Sequence, residues 1–377
     1  MSAVIGVIQE TAPGERRVAL DPGGVSKLLQ QGHSVVIQEH AGQAAGFSDR
    51  HPAWADADWV SQAVDVAKKA DILVCVQAPP GDVLAALKPH AVVIGQLDPY
   101  QNLEALMAAA DEPIALMSME LVPRITRAQA MDVLSSQATV AGYKAVILAA
   151  QLSPRLFPML TTAAGTLRPA KVVIIGAGVA GLQAIATSRR LGAQVEAYDI
   201  RKAAREQVES LGAAMIDTGV DAESEGGYAR ALTEQEQQQQ ADALAEHLAK
   251  ADVVIATASI PGKTAPTIIT QAMVEGMASG AVIVDLAAQS GGNCELTQAD
   301  QTITHQGVVI HGPINVPSMA PLHASEMYAK NIANLMGLIL QEGEVVIDQD
   351  DEVIRGCLLS LDGRIVHDNF IQGSQEI

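Results

Sequence analysis

Residues 171–186, KVVIIGAGVAGLQAIA, decide the fold of this chain, because a short apolar run breaks there into Gly-x-Gly-x-x-Gly and then into helix-forming residues. The order predicts a strand, a tight turn and a helix. Gly176 permits the turn, Gly178 leaves no Cβ where a pyrophosphate approaches, and Gly181 allows the helix to pack closely on the strand. The free N–H groups at the helix start favour an anion. We therefore expect a dinucleotide at this turn.

A glycine-rich turn is common in α/β proteins, so its surroundings decide the interpretation. The predicted helix ends before Gly192, and residues 194–198 read as a second strand that leads into Asp199. An acidic residue at this place accepts hydrogen bonds from the adenosine ribose and repels a 2′-phosphate, which favours NAD(H) over NADP(H). Arg201 could accommodate a phosphate, but it accompanies the acid and does not replace it.

Composition limits the function classes. The 377 residues suffice for two domains, and a formal net charge of −19 opposes binding to nucleic acid or to an anionic lipid surface. The three cysteines show no disulfide or metal-ligand spacing, and no pair of histidines does either, so no metal site is predicted and a reducing compartment is expected. The N-terminus lacks the features of a signal peptide, and we expect no apolar run that approaches the roughly 20 residues of a membrane span. We expect a soluble protein.

Alternating strand and helix patterns begin at residue 3 and predict an α/β fold with two doubly wound, parallel-sheet domains of the Rossmann type and a cleft between them. The predicted domains are residues 1–134 plus 320–377, and residues 135–319, which contain the glycine turn. The first domain has no such turn after its first strand, so we expect the dinucleotide on the second.

Four further segments lie outside the clear strand and helix patterns. We interpret residues 154–169, which contain three prolines, as an inter-domain connection, and residues 345–371 as a small extended tail. The acidic, glycine-rich residues 217–230 are predicted to form a mobile lid that carries Tyr228. Ala258 and Ser259 follow the predicted strand 253–256 and are candidate cofactor contacts, because ligands of such sheets bind outside the carboxyl ends of strands.

Several long strings closely resemble the NAD(H)-binding component of proton-translocating NAD(P) transhydrogenase, over essentially the whole chain. They are residues 123–137 (PRITRAQAMDVLSSQ), 141–143, 176–186, 259–263 and 285–294 (DLAAQSGGNC). Such strings are more specific than the glycine turn. The resemblance implies a homodimer in the cytoplasm, peripheral to the inner membrane, that works with separate NADP(H)-binding and membrane-spanning subunits. The end of the chain at Ile377 is like the split-subunit arrangement of this family.

The resemblance also implies roles for individual residues. Gln129 would reach the dihydronicotinamide, and Arg124, Asp132 and Ser135 would hold its carboxamide and ribose side. Tyr228 matches the mobile-loop tyrosine, and these five residues form the predicted catalytic set. The further predicted NAD contacts are Ile125, Thr126, Val179, Ala180, Asp199, Ile200, Arg201, Gly227, Gln240 and Ser259.

Alanine dehydrogenase, in the same superfamily, is the main alternative. Both share Gly-Glu-Arg-Arg-Val-Ala at residues 14–19, and Arg17 aligns with the dehydrogenase residue that grips the substrate carboxylate. Amino-acid oxidation moves a proton as well as a hydride and needs an acid or base. Where the dehydrogenases have Lys, His and Asp, this chain has Gln77, Gln96 and Gln289. Hydride transfer between two nicotinamides needs no such group, so we favour direct transfer from NADH to NADP⁺. A non-catalytic NAD(H)-sensing protein is the third hypothesis.

Overall fold

The structure is a computed structural model that describes residues 2–110, 112–201, 203–220, 233–259 and 262–371. The strands in these ranges are β1 (Val4–Val7), β2 (Ser34–Gln38), β3 (Asp58–Val60), β4 (Ile72–Val74), β5 (Val92–Gly95), β6 (Ala115–Ser118), β7 (Leu160–Thr162), β8 (Gly165–Leu167), β9 (Lys171–Ile175), β10 (Gln194–Tyr198), β11 (Ala214–Met215), β12 (Val253–Ala256), β13 (Val282–Asp285), β14 (Thr302–His305), β15 (Val308–His311), β16 (Leu340–Gln341), β17 (Glu344–Val345), β18 (Leu358–Leu361) and β19 (Arg364–Ile365).

The α-helices in the same ranges are α1 (Pro22–Gln30), α2 (Ala63–Lys69), α3 (Gly81–Ala85), α4 (Pro99–Ala109), α5 (Val133–Leu152), α6 (Val179–Arg190), α7 (Ala204–Ser210), α8 (Glu234–Leu248), α9 (Gln271–Glu275), α10 (Pro321–Ile339), α11 (Glu352–Cys357) and α12 (Asp368–Ile371). They form two compact units. Unit 1 spans Met1–Gln137 and Pro317–Ile377, and unit 2 spans Ala138–Val316, so the first division falls inside α5. The predicted functional roles of the two domains stay predictions.

Unit 1 is built on a sheet with the strand order β3-β2-β1-β4-β5-β6-β18-β19. The strands from β3 to β6 are parallel, and β18 and β19 extend the edge in antiparallel register. Side chains alternate between the two faces: Ile72 and Val74 join the apolar cluster that contains α10 residues, and Leu73 joins the cluster on the opposite face. The strand order reverses between β1 and β4, which makes that edge the crevice of this sheet.

Unit 2 repeats this plan with the order β11-β10-β9-β12-β13-β15-β14, parallel except for β14. Its strand order reverses between β9 and β12, so the turn after β9 opens at the crevice of the second sheet. Val172 and Ile174 pack on one face and Val173 and Ile175 on the other. The predicted α/β class with two doubly wound sheets is confirmed, with antiparallel strands added at two edges.

Two sequence interpretations of connecting segments are wrong. Residues 154–169 are part of unit 2, where they form the antiparallel hairpin β7–β8. The reason is packing: Phe157 is buried in the unit 2 core, and its carbonyl accepts the backbone N–H of Ala170. The segment predicted as an extended tail instead contains α11, α12 and the two strands that widen the first sheet.

The expectation that no apolar run has the length of a membrane span is wrong for α5. This helix has 20 residues, and 18 consecutive residues of it have a mean hydropathy of 1.2, so it could cross a bilayer on length and composition alone. Three of its apolar residues, Ala145, Val146 and Ala149, are buried in the unit 2 core. A core helix of a globular protein passes the same test.

Candidate functional site

The glycine turn of unit 2 lies between β9 and α6, and each of its glycines meets a different environment. Gly176 has φ +92°, a conformation that L side chains rarely adopt, and a Cβ on Gly181 would lie 1.8 Å from the Gly176 carbonyl oxygen. A Cβ on Gly178 would have no heavy atom within 4 Å. Gly178 is the N-cap of α6 and makes no side-chain cap, so the first N–H groups of the helix, from Val179 onward, remain available to an anion.

A glycine outside the turn, Gly142, allows α5 to pack against the start of α6. A Cβ on Gly142 in α5 would lie 2.1 Å from the carbonyl oxygen of Ala180. The backbones of the two helices therefore meet directly, which explains why the string 141–143 contains a glycine at this position. The first turn of α6 is fixed from behind while its N–H groups remain available at the front.

The predicted ribose acceptor Asp199 follows β10 and is nearly buried. Its Oδ2 accepts the backbone N–H of Ala177 in the glycine turn at 2.8 Å, and the Arg201 guanidinium forks onto both carboxylate oxygens. Burial alone would raise the pKa of Asp199, but the hydrogen bonds from Arg201 and the two backbone amides lower it. The carboxylate is thus charged at neutral pH and tied to the turn.

A cavity of about 280 Å³ adjoins Asp199. Its lining residues are Tyr198, Asp199, Ile200, Arg205 and Met215 to Val220. Nearby in the chain, Gln239 of α8 donates to the Thr218 carbonyl at 3.0 Å. The Oε1 atom of Gln240, a predicted cofactor contact, is buried and accepts no hydrogen bond within the described part of the chain. An orphan acceptor of this kind fits a ligand that brings a donor.

The opposite side of the crevice follows β12 and is organised by a buried aspartate. Asp285 accepts four hydrogen bonds from residues 287–297, which follow it in the chain. Two of them come from the backbone amides of Asn293 and Cys294, at 2.7 and 3.0 Å. Asn293 in turn accepts the N–H of Ala258 and donates to its carbonyl. Residues 285–294 therefore fix the backbone of Ala258. The next residue in the chain, Ser259, is exposed.

Unit 1 carries the other predicted site segment, Arg124 to Ser135. Residues Thr126–Met131 form a 3₁₀-helix in which Ala128 and Met131 are buried and Gln129 is exposed, as is Arg124 before it. The α-helix that follows, α5, starts at Val133. Asp132 ends the 3₁₀-helix, and its carboxylate accepts the N–H and the hydroxyl of Ser135, at 2.9 and 2.6 Å. Asp132 thus stabilises the first turn of α5, which sequence reasoning did not foresee.

The C-terminal part of unit 1 anchors this segment. Arg127 donates through both terminal nitrogens to Asp351, the N-cap of α11, with Nη1 at 2.8 Å from Oδ2. The carbonyl of Ala130 accepts from the side chains of Asn331 and Asn334 at 2.8 and 3.0 Å. These anchors fix the segment in which Arg124 and Gln129 are exposed. The sequence offered no signal for them, since they join residues more than 200 positions apart.

The crevice of unit 1, after β1 and β4, is filled by protein side chains. Glu10 accepts the backbone N–H groups of Val76 and Gln77 at 2.6 and 3.0 Å. Burial raises the pKa of Glu10 to about 7 although these two amides oppose the shift. A carboxylate at this point disfavours a pyrophosphate, which supports placing the dinucleotide on unit 2. Sequence reasoning missed Glu10; an acid just after the first strand was the available signal.

Beside it lies a buried ion pair. Arg17 forks onto Glu15, with Nε at 2.8 Å and Nη2 at 2.7 Å from the two carboxylate oxygens, and its Nη1 donates to Gln137 at 2.9 Å. Gln77 donates to Glu15 at 3.0 Å, and Gln96 accepts from Arg17 at 3.5 Å. Burial would raise the pKa of Glu15, but Arg17 lowers it to about 2. Gln77 and Gln96 are therefore parts of one hydrogen-bonded cluster around Arg17, while Gln289 is exposed on unit 2.

The remaining predicted site residues divide into two groups. Ile125 and Ile200 are partly buried and Thr126 is exposed, each within the segments already described. Gly227 and Tyr228, with most of the predicted lid, lie outside the described residues. Across the described ranges no group of three or more His, Cys, Asp or Glu side chains could hold a metal ion.

Comparison with known proteins gives two protein-family matches. The profile described as alanine dehydrogenase/PNT, N-terminal domain, matches residues 6–141, and the C-terminal domain of the same family matches residues 145–368. The chain is 42% identical over 374 residues to the first portion of the divided NAD(P) transhydrogenase subunit alpha of Rhodospirillum rubrum, covering 96% of this chain and 97% of that protein. It is 29% identical over 375 residues to the alanine dehydrogenase of Bacillus subtilis, covering 97% and 93%.

Solved structures agree with the sequence comparison. The crystal structure of transhydrogenase from Sinorhizobium meliloti matches with a TM-score of 0.87 and 42% identity, over 96% of this chain and all of that chain. A structure of L-alanine dehydrogenase matches with a TM-score of 0.81 and 26% identity, over 99% of each chain. Both share the fold, and the sequence identity is higher with the transhydrogenase.

Proposed function

This chain belongs to the alanine dehydrogenase/PNT family and, within it, to the NAD(P) transhydrogenase alpha subunits, and on that premise we propose that it is the NAD(H)-binding subunit of such an enzyme. In the proposal, NADH on this chain transfers a hydride directly to NADP⁺ on a partner subunit. The transfer is Re/Si-specific and is coupled to proton translocation by membrane subunits. Two relatives are named as the first portion of a divided alpha subunit, and these names support the existence of such partners.

The single observation that carries the proposal is the chemistry of the three glutamine positions. Gln77 and Gln96 hydrogen-bond within the cluster around Arg17 and Glu15, and Gln289 is exposed. None of these amides can take up or release a proton near neutral pH. Hydride exchange between two nicotinamides moves no proton, whereas amino-acid oxidation does. The arrangement therefore favours a site that positions its reactants over one that supplies an acid or base.

In this function the chain's own residues bind, orient and exclude water. We assign the pyrophosphate to the first N–H groups of α6, the adenosine to Asp199 and the cavity beside it, and further contacts to Gln240, Ala258 and Ser259. The nicotinamide part is assigned to Arg124, Gln129, Asp132 and Ser135 of unit 1 and to Tyr228. The bound nicotinamide supplies the hydride. Orientation by these residues accounts for the rate, because aligned reactants need little further catalysis.

One mixing experiment tests the proposal. The purified chain should bind NADH, reduce no NAD⁺ with alanine, and transfer hydride between nicotinamides only after an NADP(H)-binding subunit is added. Gln129→Asn should slow transfer far more than it weakens NADH binding, with the exposed Gln101 of α4 changed to Asn as the matched control. Equal losses in rate and binding would show that Gln129 contributes only affinity. No transfer with a competent partner would favour an NAD(H)-sensing protein.

A second candidate, an amino-acid oxidoreductase like alanine dehydrogenase, is favoured by one observation. Glu10 lies at the crevice of unit 1, and its pKa of about 7 suits a general base. Against this, both of its oxygens accept backbone amides. Alanine-dependent NAD⁺ reduction by the chain alone, abolished in Glu10→Gln, would establish this candidate and exclude the first.

We further propose that the homodimer implied by the family buries the hairpin β7–β8. Four large apolar side chains on and near it are exposed: Leu156, Met159, Leu160 and Leu167. Apolar residues concentrated in this way mark an interaction surface more often than scattered ones do. A second copy of the chain is the partner that the family relationship favours.

A further inference from the structure

We propose that the Arg201 side chain competes with the cofactor's adenosine ribose for Asp199, and so sets how strongly this chain prefers a 2′-hydroxyl to a 2′-phosphate. The inference rests on the proposed function, because it concerns the same nucleotide site. It gives Arg201 a task different from that of a simple cofactor contact.

The argument starts from the hydrogen bonds of Asp199. Its Oδ1 accepts the backbone N–H of Arg201 at 2.8 Å and Nε of the same residue at 2.9 Å. Its Oδ2 accepts the N–H of Ala177 at 2.8 Å and Nη2 of Arg201 at 2.9 Å. A carboxylate offers about four lone-pair sites. All of them are taken by protein donors, so the ribose hydroxyls gain Asp199 only by displacing a donor.

The donor that can leave is the guanidinium. The two backbone amides are fixed by the turn and by the chain after β10, and the Asp199 side chain is only 7% exposed. The Arg201 side chain is 42% exposed, so it can rotate into solvent without unfolding its surroundings. Its departure frees one site on each oxygen, which suits two neighbouring hydroxyls. Cofactor binding therefore includes the cost of breaking a forked ion pair.

The same pair affects discrimination against a 2′-phosphate. An isolated Asp199 carboxylate would repel that group, but Arg201 neutralises its charge and offers donors that suit phosphate. The second arginine at the cavity, Arg205, contacts Asp217 at 3.3 Å, so its charge is balanced as well. Removing Arg201 should thus act twice: the ribose hydroxyls lose their competitor, and a 2′-phosphate meets an unneutralised acid.

The test is a binding measurement that needs no partner subunit and no turnover. The test compares the dissociation constants of NADH and NADPH for the wild-type chain and for Arg201→Met. Each constant is obtained by titration, with the intrinsic fluorescence of the reduced nicotinamide as the signal. When an ion pair of this exposure is removed, NADH binding should tighten by about 1.5-fold to fivefold. NADPH binding should weaken, so the preference for NADH should rise by more than the gain in NADH affinity.

Two further variants make the result specific. Arg205→Met removes a positive charge from the same cavity without touching Asp199, and it should not tighten NADH binding. In an Asp199→Asn background there is no carboxylate to release, so Arg201→Met should lose its gain. A wild-type chain that binds no NADH would overturn the proposed function. NADH binding that is weaker in Arg201→Met than in the wild type, or an unchanged NADH/NADPH ratio, would overturn only the competition.

Discussion

Two alanine substitutions in the glycine turn should separate its role in binding from its role in folding. At Gly178, φ is −77° and ψ is −169°, which alanine adopts without strain, and a Cβ there meets no heavy atom within 4 Å. Gly178→Ala should therefore not lower the free energy of unfolding, and it should raise it by about 0.4–1 kcal/mol because alanine restricts the unfolded chain. In the glycine fingerprint this position lies where the pyrophosphate approaches, so the new methyl group should hinder that approach.

The binding loss can be estimated from the first N–H groups of α6, to which we assign the pyrophosphate. A hydrogen bond to a charged group contributes roughly 1.5–3 kcal/mol, so losing one should weaken NADH binding by about 10-fold to 100-fold. Gly181→Ala is the contrasting variant. Its Cβ would lie 1.8 Å from the Gly176 oxygen and 3.1 Å from Oγ1 of Thr257, so α6 must move away from β9. Overpacking of this kind costs about 1–3 kcal/mol of stability.

Stability is measured by urea unfolding followed by far-UV circular dichroism. Tryptophan fluorescence is unsuitable, because both tryptophans, Trp54 and Trp59, are in unit 1 and do not report on unit 2. Titration of NADH fluorescence measures binding. The reasoning is refuted if Gly178→Ala binds NADH as tightly as the wild type, or if it destabilises the chain as much as Gly181→Ala does.

Three other changes have defined outcomes. Burial raises the pKa of Glu10 from 4.5 to about 7, so the stability of the wild type relative to Glu10→Gln should fall by about 3 kcal/mol as pH rises from 4.5 through 7. Equal pH slopes of the two proteins in urea titrations would contradict this. Arg127→Gln removes the fork to the N-cap of α11 and should speed hydrogen exchange in Thr126–Met131, whereas Arg168→Gln, which breaks an exposed fork to Asp252 in unit 2, should not. Leu160→Asp should convert the dimer to a monomer in sedimentation experiments, whereas Val346→Asp, at an exposed apolar site in unit 1, should leave the dimer intact. If Leu160→Asp is still a dimer, the hairpin is not part of the interface.

The sequence predicted those parts of the molecule that depend on neighbouring residues. The turn at Gly176, the helix after it and the acid Asp199 follow from local spacing, and both sheets follow from the alternation of apolar strands with helices. The start of α8 also depends on local residues, since Thr233 and Glu236 form a capping box there. The higher identity to transhydrogenases agrees with the motif strings that first suggested the family.

What the sequence did not predict depends on contacts between distant residues or on the exact placement of side chains. Residues 154–169 contain three prolines and were predicted to be a connection between domains. The buried Phe157 instead fixes this segment, with its hairpin β7–β8, to the unit 2 core. The anchors of the Gln129 segment come from Asn331 and Asp351, which no local pattern joins to it. The saturation of Asp199 by Arg201 needed atomic distances, although an arginine two positions after the acid was visible.

The order in which the chain is made gives the interrupted unit 1 an unusual folding history. Unit 2 is one continuous stretch, whereas unit 1 needs α10, with nine buried side chains, and β18, which pairs with β6. At 5–20 residues per second, β6 waits roughly 10–50 s for its neighbour to be synthesised. Unit 2 can therefore finish folding first, while the apolar face that α10 will cover stays open on the nascent chain, where chaperones can bind it and where it favours aggregation.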